Sequence, residues 1–241
     1  MIRILDSRYW NGVIPATPDY TWIKGYIAKV SDGDYFTSPD FLGQYRAAEA
    51  LFGDARSAWA FFKAVSDPKA AARRYHDAMV AAGGYGKIPP IHDIEDRFAP
   101  KAKTTIEKAW VQHQEMEQLI GREVMVYSAG WYWDAWIAPF IPLTHPIYTR
   151  QLWEADPTPD TPIKGWPTGG VMVQTVLDWY APGFKATNGD ALRIDISDVS
   201  EAVFNAWMGV TNPSPTPEPT KTLKLSRSAT DELHQAIHEA Q

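Results

Sequence analysis

The sequence predicts an α/β protein, an irregular β/α (TIM-like) barrel of about eight strands with few helices on its late side. Three observations carry this. Strand-like and helix-like segments alternate from residue 22 to about 137, the pattern of a parallel sheet with right-handed crossovers. Three further strand patterns follow, with little helix among them until 199–208. At 241 residues the chain is long enough to close one such barrel around a sizeable core.

Strand patterns fall at 2–5, 22–30, 57–62, 88–95, 123–128, 146–153, 171–176 and 192–196. Between them, 40–52 carries apolar residues at helical spacing and stops at Gly53. Asp67-Pro68 supplies an N-cap and a proline at the first helical position of a helix ending at Gly83-Gly84. Thr104 or Thr105 opens another helix, with Ile106, Trp110, His113, Met116 and Leu119 near one face and Gly121 at its end. A shorter helix is expected over 131–137. The barrel domain is placed at 1–209. After it, Thr211 to Thr220 alternates proline with polar residues and reads as an extended linker, bounded at 210–222. Residues 223–241 have modest helix character and read as a short helical tail or the stub of a further domain.

Composition narrows the chemistry. No cysteine is present, which excludes disulfides, thiolate catalysis and cysteine-based zinc sites. Of the six histidines only His234 and His238 have helical i, i+4 spacing, and they sit in the tail. No metal and no cofactor is expected. The net charge of -6 argues against nucleic acid, which requires a basic footprint. No run of 18 apolar residues exists, so no membrane span is expected. The 11 Trp and 11 Tyr serve cores as readily as sugar stacking.

The candidate site lies in Ile91-His92-Asp93-Ile94-Glu95-Asp96. Side chains two apart on a strand share a face, about 6.5–7 Å apart, so Asp93 and Glu95 would project together. Two acids in a partly enclosed site cannot both ionise freely, and an acid/base pair results, as glycoside hydrolysis requires. Alone, Asp-x-Glu is more often a solvated acidic turn. Asp6 at the end of the first strand and Asp195 near the end of the last add acids at one barrel rim, where the sites of such barrels lie. Arg97 and Phe98 follow the acid pair and carry no assigned role.

An ordered series of motifs resembles the glycoside hydrolase family 25 lysozymes, the Chalaropsis-type N-acetylmuramidases of bacteria and their phages. Leu5-Asp6-Ser7-Arg8-Tyr9 resembles the family's opening strand end. Ile27-Ala28-Lys29-Val30-Ser31-Asp32-Gly33 with Asp40-Phe41 resembles its second strand and the helix start that follows. Asp93-Ile94-Glu95 matches its Asp-x-Glu signature. Val126-Tyr127-Ser128 with Trp131, Leu152-Trp153-Glu154-Ala155, Gln174, and Arg193-Ile194-Asp195 resemble its later strand ends. The resemblance covers roughly residues 1–209.

The resemblance implies a peptidoglycan hydrolase that cuts the β-1,4 bond between N-acetylmuramic acid and N-acetylglucosamine. It makes Glu95 the general acid/base and Asp93 the partner of the substrate's acetamido group. Asp6 and Asp195 become supporting carboxylates. Tyr127, Trp153, Trp131 and Gln174 are the substrate-contact candidates, with stacking and packing weighing evenly for Trp131 and Trp153. The implied partner is the peptidoglycan glycan strand, with a further cell-wall-binding domain or virion partner reached through the tail. Met1-Ile2-Arg3-Ile4-Leu5-Asp6 enters a strand at once, without a secretory apolar region. For a cell-wall enzyme this implies a phage lysin made in the host cytoplasm, a virion component, or a chain trimmed of its signal.

Two departures bear on substrate. His92 stands where the family has an apolar residue. The third strand reads Trp59-Ala60-Phe61-Phe62 where many members show a Tyr-His-Phe type of run, which removes an expected polar sugar contact. The Pro- and aromatic-rich loop at 10–20 is a third difference. Two alternatives stay open: a non-catalytic glycan-binding or structural relative of the fold, and a barrel glycosidase of chitinase type.

Overall fold

The computed structural model describes residues 1–8, 11–12, 22–155, 162–185 and 191–210. Most of the loop at 10–20 and the segment 211–241 lie outside them. The elements in order are β1 (Ile2–Ser7), β2 (Ile23–Asp32), β3 (Phe36–Thr37), α1 (Phe41–Phe52), β4 (Arg56–Phe61), α2 (Pro68–Ala81), β5 (Ile91–Asp93) and α3 (Lys103–Ile120). Then come β6 (Met125–Ser128), α4 (Gly130–Tyr132), β7 (Leu152–Glu154), β8 (Met172–Lys185), β9 (Ala191–Val199) and α5 (Glu201–Met208).

Eight strands close a barrel in the order β1-β2-β4-β5-β6-β7-β8-β9, and β9 returns to β1. The short β3 extends the sheet beside the end of β2. From β1 round to β8 every pairing is parallel, while β9 runs antiparallel to both of its neighbours. This is the irregular barrel the sequence predicts, with its helix-poor late side. The reversed direction of β9 has a plain cause. β8 runs on to Lys185 and β9 begins at Ala191, and so short a connection cannot make the crossover that a parallel pair requires. Strands bounded at 176 and 192 would have left room for one.

Helix ends follow their local chemistry. Asp67 accepts a hydrogen bond from the Ala70 amide at 2.7 Å, with Pro68 at the first position of α2. Ser200 caps α5 through the Val203 amide. Gly121 ends α3 in the left-handed conformation, φ 75°, which glycine adopts without a side-chain clash.

Three expected elements change. The strand expected over 88–95 shrinks to Ile91–Asp93, because Pro89 and Pro90 have no N–H to donate and the chain leaves the sheet after Asp93. The strand expected over 146–153 opens instead as a 3-10 turn, Pro146–Thr149, and β7 is only Leu152–Glu154. The helix expected over 131–137 is α4 followed by a π segment, Trp133–Ile137, and a 3-10 turn at Ala138–Phe140 that contains Pro139. Among the described residues no helix is long and apolar enough to cross a membrane.

The barrel interior is one layer with a residue from each closing strand: Ile4, Ile27, Trp59, Ile91, Met125, Trp153, Met172 and Val199, all buried. Val203, Phe204, Trp207 and Met208 of α5 pack against this layer. Alternate residues of the same strands, among them Leu5, Ala28, Ala60 and Ile196, instead join α1 and α2 residues such as Tyr45, Ala48, Tyr75 and Met79 in the outer core.

Candidate active site

The site is the next inward layer above that core, and strand alternation places it there. Two residues beyond Ile4, Ile27, Trp59, Ile91 and Met125 come Asp6, Lys29, Phe61, Asp93 and Tyr127, and all five line a single cavity of about 180 Å³. Arg8, Trp59, Glu95 and Trp153 complete its lining. The parallel strands, all but β9 of the closing eight, point their C-terminal ends here, the face where β/α barrels place their sites.

Asp93 is 6% exposed and ends β5. Glu95 is not on the strand, as the sequence spacing had suggested; β5 stops two residues earlier. The alternation nevertheless persists for one more step, because the Ile94 amide donates to the Tyr127 carbonyl at 2.9 Å. Ile94 packs with the outer apolar cluster, and Glu95 turns to the cavity. Asp93 Oδ1 and Glu95 Oε1 are buried and make no hydrogen bond within the protein.

Burial raises both acids. Asp93 is held well above the usual carboxylate range by desolvation and then by the Glu95 charge, with Lys29 and Arg8 pulling it back. Glu95 is pushed up to about 7 by burial, against the Ala129 amide and Arg8. Interacting groups this close titrate as a pair, and the pair retains a proton near neutral pH.

Asp6 is fixed from two sides. Its Oδ1 accepts from Trp59 Nε1 at 2.8 Å and its Oδ2 from Gln174 Nε2 at 3.5 Å. Gln174 also donates to Asp195 Oδ2 at 3.1 Å and accepts from the Tyr127 hydroxyl at 3.0 Å. Asp195 sits opposite Asp6 in the β1–β9 ladder and pairs with Arg8 at 3.5 Å. Desolvation, then the Asp195 charge, holds Asp6 well above the usual carboxylate range.

Of the residues singled out from sequence, Glu95, Asp93, Asp6, Tyr127 and Trp153 line the cavity. Gln174 and Asp195 stand behind it, bonded to Asp6 and to each other. Asp195 is near the middle of β9, not at a strand end, and the antiparallel register is what brings it to Asp6. Trp153 is 1% exposed and meets the Tyr127 ring edge-on at 4.5 Å, so one face of its role is packing. Trp131 does not join the cavity. It is 60% exposed on α4, beside Tyr132 and Trp136.

Sequence reasoning missed Lys29, Arg8, Trp59 and Phe61. Lys29 is 7% exposed, pairs with Asp32 at 2.6 Å, and lies over the Trp59 ring at 4.8 Å and the Phe61 ring at 5.4 Å. The signal was available: Lys29 stands two residues after Ile27 and Phe61 two after Trp59, the same step that leads from Ile91 to Asp93. Among the described residues no group of three or more His, Cys, Asp or Glu is placed to hold a metal ion. The arrangement offers proton donation from a buried acid beside a second carboxylate, inside an aromatic-walled pocket.

Similarity to known proteins points the same way. A search of the curated proteins gives no significant match. Solved structures do match in fold. The CTP1L endolysin is 19% identical, with a TM-score of 0.68 over 87% of this chain and 70% of that one. A lysozyme from Streptomyces coelicolor is 16% identical, TM-score 0.67, over 87% and 98%. A muramidase from Trichobolus zukalii is 17% identical, TM-score 0.66, over 87% and 100%.

A β/α barrel whose rim buries paired carboxylates among aromatic rings defines a glycoside hydrolase. The family model of glycosyl hydrolases family 25 matches residues 7–154, and the chain belongs to that family.

Proposed function

We propose that the chain is a peptidoglycan hydrolase of the N-acetylmuramidase type, cleaving the β-1,4 bond between N-acetylmuramic acid and N-acetylglucosamine. The observation that carries this reading is the Glu95–Asp93 pair, two acids that line one cavity and are both raised by burial. Its lysozyme, muramidase and endolysin relatives in fold support the same substrate class.

Glu95, protonated near neutral pH, donates its proton to the glycosidic oxygen as the bond to the anomeric carbon breaks. The substrate's own acetamido oxygen attacks that carbon from the other side, while Asp93 accepts the acetamido N–H. This needs Asp93 ionised; burial opposes that form, while protonated Glu95 no longer does, and Lys29 and Arg8 favour it. Glu95, now a carboxylate, then takes a proton from water as it opens the intermediate, so configuration is retained. Asp6 and Asp195, tied through Gln174, orient the sugar and set the field around the pair, and Tyr127 and Trp153 wall the pocket.

The barrel acts, in this reading, on the bacterial cell wall as a phage lysin or virion component. Residues 210–222 serve as a linker, and 223–241 as a helical tail or the start of a further wall-binding or virion-attaching part. The test is digestion of purified peptidoglycan, borohydride reduction of the fragments, and mass spectrometry. Reduced muramic acid is expected; reduced glucosamine alone would make the enzyme a glucosaminidase.

A further inference from the structure

Beside the cavity mouth, the loops after β4 and β5 build a cationic and aromatic ledge that the acid chemistry does not use. Lys63 Nζ lies 4.6 Å from the ring centre of cavity-lining Phe61 and 6.0 Å from that of Phe98. Arg97 Cζ lies 5.2 Å from the Phe98 ring. Phe61, Lys63, Phe98 and Arg97 thus form a continuous row from the cavity outward, ending in a phenyl ring that is 79% exposed.

The row is held in place. Asp96, 3% exposed, accepts from the Ala64 amide at 3.0 Å and the Phe98 amide at 3.3 Å, and pairs with Lys63 at 3.6 Å. One buried carboxylate therefore fixes both loops and neutralises Lys63. Arg97 has no ion pair with any described residue. Residues 97–103 carry Arg97, Lys101 and Lys103 without an acid, in a chain whose net charge is -6. Lys63 is paired with Asp96 and Lys103 with Glu107 at 3.3 Å, which leaves the exposed Arg97 guanidinium, with the apolar Phe98 ring under it, to meet an anionic, partly apolar group attached to the bound sugar.

We propose that this ledge takes the peptide substituent of the glycan strand, with Arg97 pairing a peptide carboxylate and Phe98 supporting the peptide's apolar part. The proposal rests on the peptidoglycan reading and deepens it: the substrate is the peptide-bearing strand rather than bare glycan. It also separates the enzyme from one that cuts uncharged amino-sugar polymers.

The test compares two substrates, peptide-bearing glycan strands and the same strands stripped of peptide by an amidase. Wild-type protein is expected to show a KM about three- to fivefold lower on the peptide-bearing strands, the size of one exposed charge pair. Arg97→Ala should erase that preference by raising KM on peptide-bearing strands alone, with kcat unchanged, and Arg97→Lys should restore part of it. Arg97 and Phe98 are exposed, so the melting temperature should hold. A wild-type enzyme that cuts both substrates equally, or an Arg97→Ala loss that is equal on both, overturns the proposal. If wild-type protein cuts neither, the peptidoglycan reading falls and the ledge proposal falls with it.

Discussion

Trp59 donates its indole N–H to Asp6 Oδ1 at 2.8 Å, joining the middle of β4 to the end of β1 across the barrel mouth. The third strand seemed from its sequence to have lost a polar contact, yet the indole supplies one, directed at a carboxylate. Trp59→Phe keeps an aromatic side chain but loses the indole N–H and part of its volume, leaving Asp6 Oδ1 buried without that donor. The expected cost is about 1–3 kcal/mol of stability, as for other buried acceptors left unpaired. Denaturant unfolding measures it, and an unchanged midpoint would show that the bond contributes nothing.

The pH dependence of turnover follows from Glu95. In the proposed mechanism Glu95 gives the proton and so must carry it, which makes kcat/KM fall as pH rises through about 7. Arg8 holds the Glu95 value down, and removing that charge should let it rise. In Arg8→Met the alkaline limb is expected to move to higher pH. A limb that stays put or moves down would take the proton-donor role away from Glu95.

Glu95→Gln should abolish turnover, a loss of about a hundredfold to ten-thousandfold or more, because the amide has no proton to give. Its effect on stability has a definite sign. Glu95 is raised from 4.5 to about 7 on folding, so its contribution is whole below 4.5 and is lost as pH rises through about 7. A neutral glutamine escapes that loss, which amounts to about 3 kcal/mol. The variant should melt higher than wild type at pH 8 and close to it at pH 4. A lower melting temperature at pH 8 would contradict burial as the cause of the shift.

The barrel was legible because its strands carry inward residues at a period of two, and Asp6, Asp93 and Tyr127 each extend that period by one step. Lys29 and Phe61 extend it too, but a lysine or a phenylalanine at an inward step carries no signal of acid/base chemistry in sequence. Asp195 was found for an incomplete reason. Its position depends on the antiparallel register with Asp6, which rests on how far β8 runs, and a strand's end is weakly marked in sequence. Trp131 was drawn in by its neighbourhood to Tyr127 along the chain, but α4 turns its ring outward.

The compact unit Met1–Val210 contains every residue assigned to the site. The Pro-alternating composition of 211–220 supplies few apolar groups to bury. Deleting 211–241 is therefore expected to leave the melting temperature and the rate on soluble glycan fragments unchanged. A fall of many degrees would move the domain boundary into the tail.

His92 gives the last prediction. It is fully buried on the outer side of β5, its ring 5.6 Å from that of His113 and 6.1 Å from that of Phe62. Neither ring nitrogen makes a hydrogen bond of good geometry, though Gln112 lies beside it. Burial, then His113, holds its pKa well below the ordinary value of 6.5. The unfolded chain takes up a proton below about 6.5 that the folded one refuses, so stability is whole above that pH and falls as pH drops. His113, also buried and lowered, acts in the same direction, tempered by Glu117 at 3.4 Å. His92→Leu removes both the unpaired nitrogens and the proton penalty. It should raise stability by about 1–2 kcal/mol at pH 8, from the polar burial alone. The gain should be larger at pH 5, where the wild-type protein also carries the proton penalty. Urea unfolding of both proteins at the two pH values checks this. An equal gain at both would mean that His92 titrates alike in the folded and unfolded chain, and that its burial does not govern acid stability.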